Sequence, residues 1–206
     1  MSLHDKVAAA IAAVKRILAS AASGTERIAS AVRQGAAIAR WVMIGERVQL
    51  AGVYTFTCVG PDGRVKWRDS LPNLVTTVGK NHLLDQYLEG SSYTAAWYLG
   101  LIDNAGYTAV AAGDTAASHS GWTESTAYSN GTRPAPSWGA AAAGSKASTP
   151  TAFTINATAT IKGAFLISNS TKGGTTGTLY SAGLFTGGDK AVANGDTLNV
   201  TYTASA

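Results

Sequence analysis

The sequence predicts a mainly β protein, an antiparallel β-sandwich of jelly-roll or immunoglobulin-like type with one short helix, preceded by an N-terminal α-helical arm. Charge and composition divide the chain in this way. Residues 1–50 carry the whole net charge of +4 in an alanine-rich stretch, whereas residues 51–206 are neutral and rich in Gly, Thr, Ser and Ala. Hydrophobic periodicity changes at the same place, from the spacing of a helix face to the alternation of a half-buried strand. A chain of 206 residues has room for one domain of ~150 residues and an appendage, which gives an arm over 1–50 and a body over 51–206. Hydrophobic residues make up 46% of the chain, but alanine supplies much of that, so the expected core is thin-layered. Charged residues are 14%, against roughly 25% in an ordinary soluble domain. So little charge lowers the desolvation cost of protein contact and points to a subunit of an assembly.

In the arm, Val7, Ile11, Val14, Leu18, Ala21, Thr25, Ile28, Val32, Gly35, Ala39 and Val42 follow one another at alternate steps of four and three. That is a heptad seam, and such a stripe buries itself against a partner helix or the body. Ile and Val at both seam positions favour a trimer over a dimer, although Ala21, Gly35 and Ala39 weaken its middle. Ser23-Gly24-Thr25-Glu26 also has the form of a capping box, which would start a new helix and give two, over roughly 3–20 and 24–43, in place of one. Lys6, Lys15, Arg16, Arg27, Arg33, Arg40 and Arg47 lie mainly off the seam, where they are available to acidic protein surface or to phosphate. Without Lys/Arg clusters or interleaved aromatics, the arm is a poor electrostatic match for nucleic acid or membrane, so neither is expected as a partner.

The body opens with Tyr54, Phe56 and Cys58 on one strand face, a Gly60-Pro61-Asp62-Gly63 turn, then Val65 and Trp67, the pattern of a β-hairpin. A strand over Leu74–Val78 leads to a short helix around Lys80–Leu88, with Leu83, Leu84, Tyr87 and Leu88 expected on the sheet and Gly90 as its stop. Ala96–Ile102 reads as a strand apolar on both faces, with Trp97 as a core anchor. Residues 103–150 lack periodicity and carry aromatic islands at Tyr107, Trp122, Tyr128 and Trp138. A loop of that length is functional or held by a neighbour, and Trp122, Tyr128, Arg133 and Trp138 are expected to form an exposed contact surface for a sugar or, in preference, another subunit. Three strands follow: Ala152–Ser168, bent near Lys162-Gly163, then Thr178–Phe185 and Asp196–Thr203. Seven or so short strands with one helix make a sandwich the economical architecture.

No catalytic constellation stands out, and neither cofactor nor metal is expected. Cys58 is the single cysteine, which excludes an intrachain disulfide and every multi-cysteine zinc motif; a small buried apolar role suits it. Asp114, His119 and Glu124 come nearest to a metal cluster, and Ser118-His119-Ser120 to a nucleophile with its base, but both read as accidents of a polar loop. Gly173–Gly177 lacks the Lys-Ser/Thr and following helix of a nucleotide loop and reads as a turn, as does Asp62-Gly63, which offers too few oxygens for calcium. Lys15 and Arg16 interrupt the apolar run a secretory signal needs, and no stretch of 18 apolar residues occurs. The chain is expected to be soluble and made in a cytoplasm.

The blocks Gly52-Val53-Tyr54-Thr55-Phe56, Asp62–Trp67, Asn73–Gly79 running on to Leu83-Leu84-Asp85, Trp97–Ile102, Ala117–Glu124 with Tyr128 and Arg133-Pro134, Phe153–Ile161, Ser170–Gly174 and Gly195–Tyr202 resemble a family of small virion structural proteins of tailed bacteriophages, of the capsid decoration or head-fibre type. Together they span essentially residues 51–206; the arm lies outside. The resemblance implies a non-enzymatic, multi-copy component of the virion, seated on the capsid surface with the major capsid protein and copies of itself as partners. The alternative it leaves is a tail or tail-fibre component that contacts the host receptor.

Overall fold

The computed structural model describes residues 49–89 and 96–206. The seam and basic residues of the arm (Val7, Ile11, Val14, Leu18, Ile28, Val32, Val42, Arg16, Arg27, Arg33 and Arg40), its capping box and the Gly90 stop lie outside these. The chain divides between Val48 and Gln49, and Gln49–Ala206 is the unit described below.

The described residues of that unit are mainly β: ten strands in one open antiparallel sheet, with a single α-helix. β1 (Ala51–Val59) and β2 (Val65–Val75) form the expected hairpin. Its turn closes through Gly63 N–H on Gly60 O at 2.9 Å, with Gly63 at φ 77°, a conformation that favours glycine. Beyond them come β3 (Tyr98–Asp103), β4 (Glu124–Ser125), β5 (Ser145–Ala147), β6 (Thr151–Thr154), β7 (Ala159–Ile167), β8 (Leu179–Leu184), β9 (Lys190–Val192) and β10 (Thr197–Ser205). The order across the sheet is β4-β3-β7-β8-β2-β1-β10-β5, with β6 also on β10 and β9 also on β7.

β2 ties the sheet together. Residues up to Pro72 pair with β1, and Asn73–Val75 pair with β8. The two halves therefore share one strand rather than forming two separate sheets, and their inner faces meet in one core. Tyr54, Phe56, Leu198, Val200 and Tyr202 come from the β1–β10 half, and Leu99, Leu101, Ile161 and Leu166 from the other. Phe56 packs on Phe185 with ring centroids 4.6 Å apart, and the Tyr54 hydroxyl lies 2.7 Å from Ser181 Oγ. Each of these large side chains contributes roughly 1.5–3 kcal/mol by leaving water.

Three register shifts are bulges, in which one extra residue faces a single partner and its side chain is re-aimed. The extra residues are Lys66 in β2, Lys162 in β7 and Tyr180 in β8. The bend expected at Lys162-Gly163 coincides with the second of these. The stretch expected as one strand over Ala152–Ser168 is nevertheless two, β6 and β7, separated at 155–158.

The expected strand over Leu74–Val78 is absent as a separate element. β2 runs to Val75, and α1 (Thr77–Leu84) starts at once because Thr76 caps it, its Oγ1 accepting from Gly79 N–H at 3.0 Å while Thr76 N–H donates to Tyr180 O. Helical structure continues as a wide π-helical turn over Asp85–Glu89. Contrary to expectation, Leu84 and Leu88 stay exposed, at 51% and 73%. The buried residue of α1 is Gly79, where a Cβ would lie 2.3 Å from Tyr180 O. Close backbone approach, not an apolar stripe, seats this helix.

Candidate functional site

A groove of about 460 Å³ opens beside α1, lined by His82, Leu83 and Gln86 from the helical segment, Trp97 before β3, Trp138 and Lys146 from the long loop and β5, Leu166, Tyr180, Tyr202 and Ala204. Local structure explains each placement. Tyr180 reaches it as the bulged residue of β8, Tyr202 by the alternation of β10, and Trp138 through a bridge to Ser148. The rings meet edge to face: Trp97 on Tyr180 at 5.5 Å, His82 on Trp97 at 5.5 Å and Trp138 on Tyr202 at 6.1 Å. Asn73 Nδ2 donates to the Tyr202 hydroxyl at 2.7 Å. Burial holds the Tyr180 and Tyr202 phenols above their ordinary pKa, so both stay protonated.

The groove's hydrogen-bond donors are unevenly used. Of the four tryptophans among the described residues, Trp67 gives its ring N–H to Ala191 O at 2.9 Å and Trp122 to Asp114 Oδ2 at 2.8 Å. Trp97 and Trp138, both in the groove, have no acceptor for theirs among the described residues, and the Tyr180 hydroxyl has no hydrogen bond among them. Lys146 Nζ donates to Gly139 O at 2.7 Å and is exposed at the rim.

The surface expected of the long loop is not there. Trp122, Tyr128 and Arg133 are 2%, 0% and 3% exposed, and Trp138 is half-buried in the groove. Trp122 is structural because the loop around it covers the outer face of β3, β7 and β8, Tyr128 because it enters the main core against Phe153, and Arg133 because its guanidinium is spent on internal bonds. Trp122 packs on Phe165 at 5.1 Å, in a second core with Ile102, Ala116, Ile167, Leu179 and Ala182. Under the loop, Arg133 grips Glu124 with two parallel bonds, Nε to Oε1 at 3.0 Å and Nη2 to Oε2 at 2.7 Å. Its remaining donors reach Asn169 O and Gly174 O. Glu124 also accepts from Gly173 N–H, which ties down the connection between β7 and β8, with its turn at Lys172-Gly173. Burial, then the Glu124 charge, raises the Tyr128 phenol well above its ordinary range.

The nearest approach to a metal cluster comes apart in the same way. Asp114 accepts from Trp122 and from Ala111 N–H, His119 stacks on Trp122 at 4.1 Å with Nδ1 3.0 Å from Trp122 O, and Glu124 is held by Arg133. Among the described residues no group of three or more His, Cys, Asp or Glu could hold a metal ion.

A separate polar cluster lies under the first bulge. Lys66 Nζ reaches Asp196 Oδ2 at 2.5 Å, and the same carboxylate oxygen accepts from Ala193 N–H and lies 3.6 Å from Cys58 Sγ. Burial works to raise the Asp196 carboxyl, but the Lys66 and Ala193 hydrogen bonds and the Lys66 charge together hold it below its ordinary value. Burial and then the Asp196 charge push the Cys58 thiol up to about 11. A thiol so placed is an inert core group.

Of the groove residues, Trp97, Trp138 and Tyr202 stand out in the sequence, as a core anchor, an island aromatic and an alternating strand residue. Tyr180 and Lys146 do not: one depends on a bulge and the other on a three-residue strand, neither of which leaves a periodic signal. No helix among the described residues is long and apolar enough to cross a membrane. No family model matches the chain, and no curated protein matches it.

Proposed function

We propose that the chain is a non-enzymatic structural protein of a tailed-bacteriophage virion, a capsid decoration or head-fibre protein. In this reading residues 1–50 bind the major capsid protein and self-associate, as a trimer in preference to a dimer. The body, which we infer to be a bent sandwich of jelly-roll or immunoglobulin type, spreads contact over capsomer junctions. Many weak contacts repeated by symmetry reinforce a shell without any single strong site. The observation that carries the reading is the ordered run of blocks from Gly52 to Tyr202, joined to a sharp change from a basic to a neutral segment. The use of Asp114, His119, Glu124 and Arg133 in internal bonds fits a scaffold better than a catalyst. A variant lacking residues 1–45 is expected to leave a folded body that no longer co-sediments with particles; undiminished incorporation would overturn the role of the arm.

One observation favours the second reading, a tail or tail-fibre component that contacts a host receptor: the aromatic groove, whose ring N–H donors have no acceptor among the described residues. In that case Trp138→Ala abolishes adsorption to the host while particle yield and morphology stay unchanged.

A further inference from the structure

We propose that the groove is a binding site for a sugar ring bearing a carboxylate, of the uronic acid class. Three features of the pocket converge on that chemistry. Its walls are aromatic, and the C–H faces of a pyranose stack on such rings much as other flat amphipathic surfaces do. The walls also carry three donors with no acceptor among the described residues, Trp97 Nε1, Trp138 Nε1 and the Tyr180 hydroxyl, whereas the two described tryptophans away from the groove have theirs paired. A purely apolar occupant would leave those groups dry and unpaired, which is costly. A sugar brings hydroxyl acceptors to them. The third feature is charge: Lys146 stands at the rim and no acidic side chain among the described residues lines the pocket, which favours a negatively charged ligand.

The size agrees. About 460 Å³ lies within the ~300–1,000 Å³ of small-molecule sites and accommodates one or two rings of a longer chain. The hydroxyl of Tyr202, one of the lining residues, is held by Asn73 before any ligand arrives. This site does not depend on the virion reading. Capsid, fibre or neither, the pocket is part of the body.

The test is an NMR titration of the full, isotopically labelled chain with methyl β-D-glucuronide, methyl β-D-glucoside and N-acetyl-phenylalaninamide in parallel. The glucuronide is expected to shift the indole N–H signals of Trp97 and Trp138 and leave those of Trp67 and Trp122 in place, with the glucoside binding more weakly at the same two signals. Lys146→Gln, an exposed substitution that leaves the fold intact, is expected to lower glucuronide affinity about two- to five-fold, the size of an exposed ion pair, and to leave the glucoside unchanged. Trp138→Phe keeps the ring and removes the donor, and should weaken both sugars. Failure of either glycoside to move the two signals overturns the proposal, as does equal movement of all four. Movement with the phenylalanine amide alone assigns the groove to an apolar protein side chain and likewise defeats it.

Discussion

The two halves of the sheet are built by the same ladder but treat their outer faces differently. In β1, β6 and β10 burial alternates, with Tyr54, Phe56, Phe153, Leu198 and Val200 inward and Val53, Thr55, Thr154, Asn199 and Thr201 outward. In β3, β7 and β8 residues of both faces are buried, since the main core lies on one side and the long loop with its Trp122 cluster on the other. An irregular segment here does a sheet's work. Loop 104–150 has few strands of its own, yet its part around Ala116 and Trp122 covers the outer face of β3, β7 and β8 as a second layer, pinned by a bidentate ion pair.

The contrast can be broken most severely at that pin. Arg133→Ala leaves Glu124 buried without its partner and is expected to cost about 3–5 kcal/mol in urea unfolding. Replacing both, with Glu124→Leu and Arg133→Met, should recover much of it, and failure to do so would mean that the backbone carbonyls held by Arg133 matter more than the pair. Trp122→Ala, which empties the second core, is expected to cost about 3–5 kcal/mol by the same measurement, with Trp122→Phe milder because the ring stays. Loss of protease resistance confined to 104–150 would show that the cover detaches as a unit.

The open half has a smaller, pH-dependent signature. Asp196 is held below its ordinary pKa, so what it contributes is complete above about pH 4, the unfolded value, and is lost as pH falls through the lower folded value. Melting temperature should fall across that interval, and Lys66→Met should flatten the slope; an unchanged slope would remove Lys66 from the account. Smallest of all, Thr55→Ala or Thr201→Ala on the wet face is expected to change stability by no more than ~0.5 kcal/mol. A cost near that of Trp122→Ala would erase the distinction between the halves.

Legibility in the sequence follows the same division. Alternation at Tyr54-Phe56-Cys58 and Leu198-Val200-Tyr202 announces the open half, because a strand with one wet face must alternate. The covered half is legible only as apolar runs, at Leu99–Ile102 and Ala164–Ile167, which give the strand but not what lies over it. The cover is where sequence reading fails. Aromatics amid Gly, Ser and Thr look like an exposed contact surface, and nothing local marks Arg133 and Glu124 as buried partners nine residues apart. Aromatic side chains at Tyr107, Trp122 and Tyr128 in a stretch so poor in other apolar groups were the available signal. Strands of two or three residues such as β4, β5 and β9 are too short for any period to register. With β5 and the Tyr180 bulge unseen, the groove had no visible outline, although three of its aromatics were already in hand.

One consequence of the register concerns force. Ala51 lies opposite Ser205 and the pairs continue in step to Val59 and Thr197, so the first and last strands of the body begin and end at a common edge. Tension applied between Gln49 and Ala206 peels this ladder one rung after another instead of loading all rungs together. The body should yield easily to pulling by its ends and strongly resist a load directed across β1 and β2. Any polypeptide grafted after Ala206 would emerge at the edge where the chain enters.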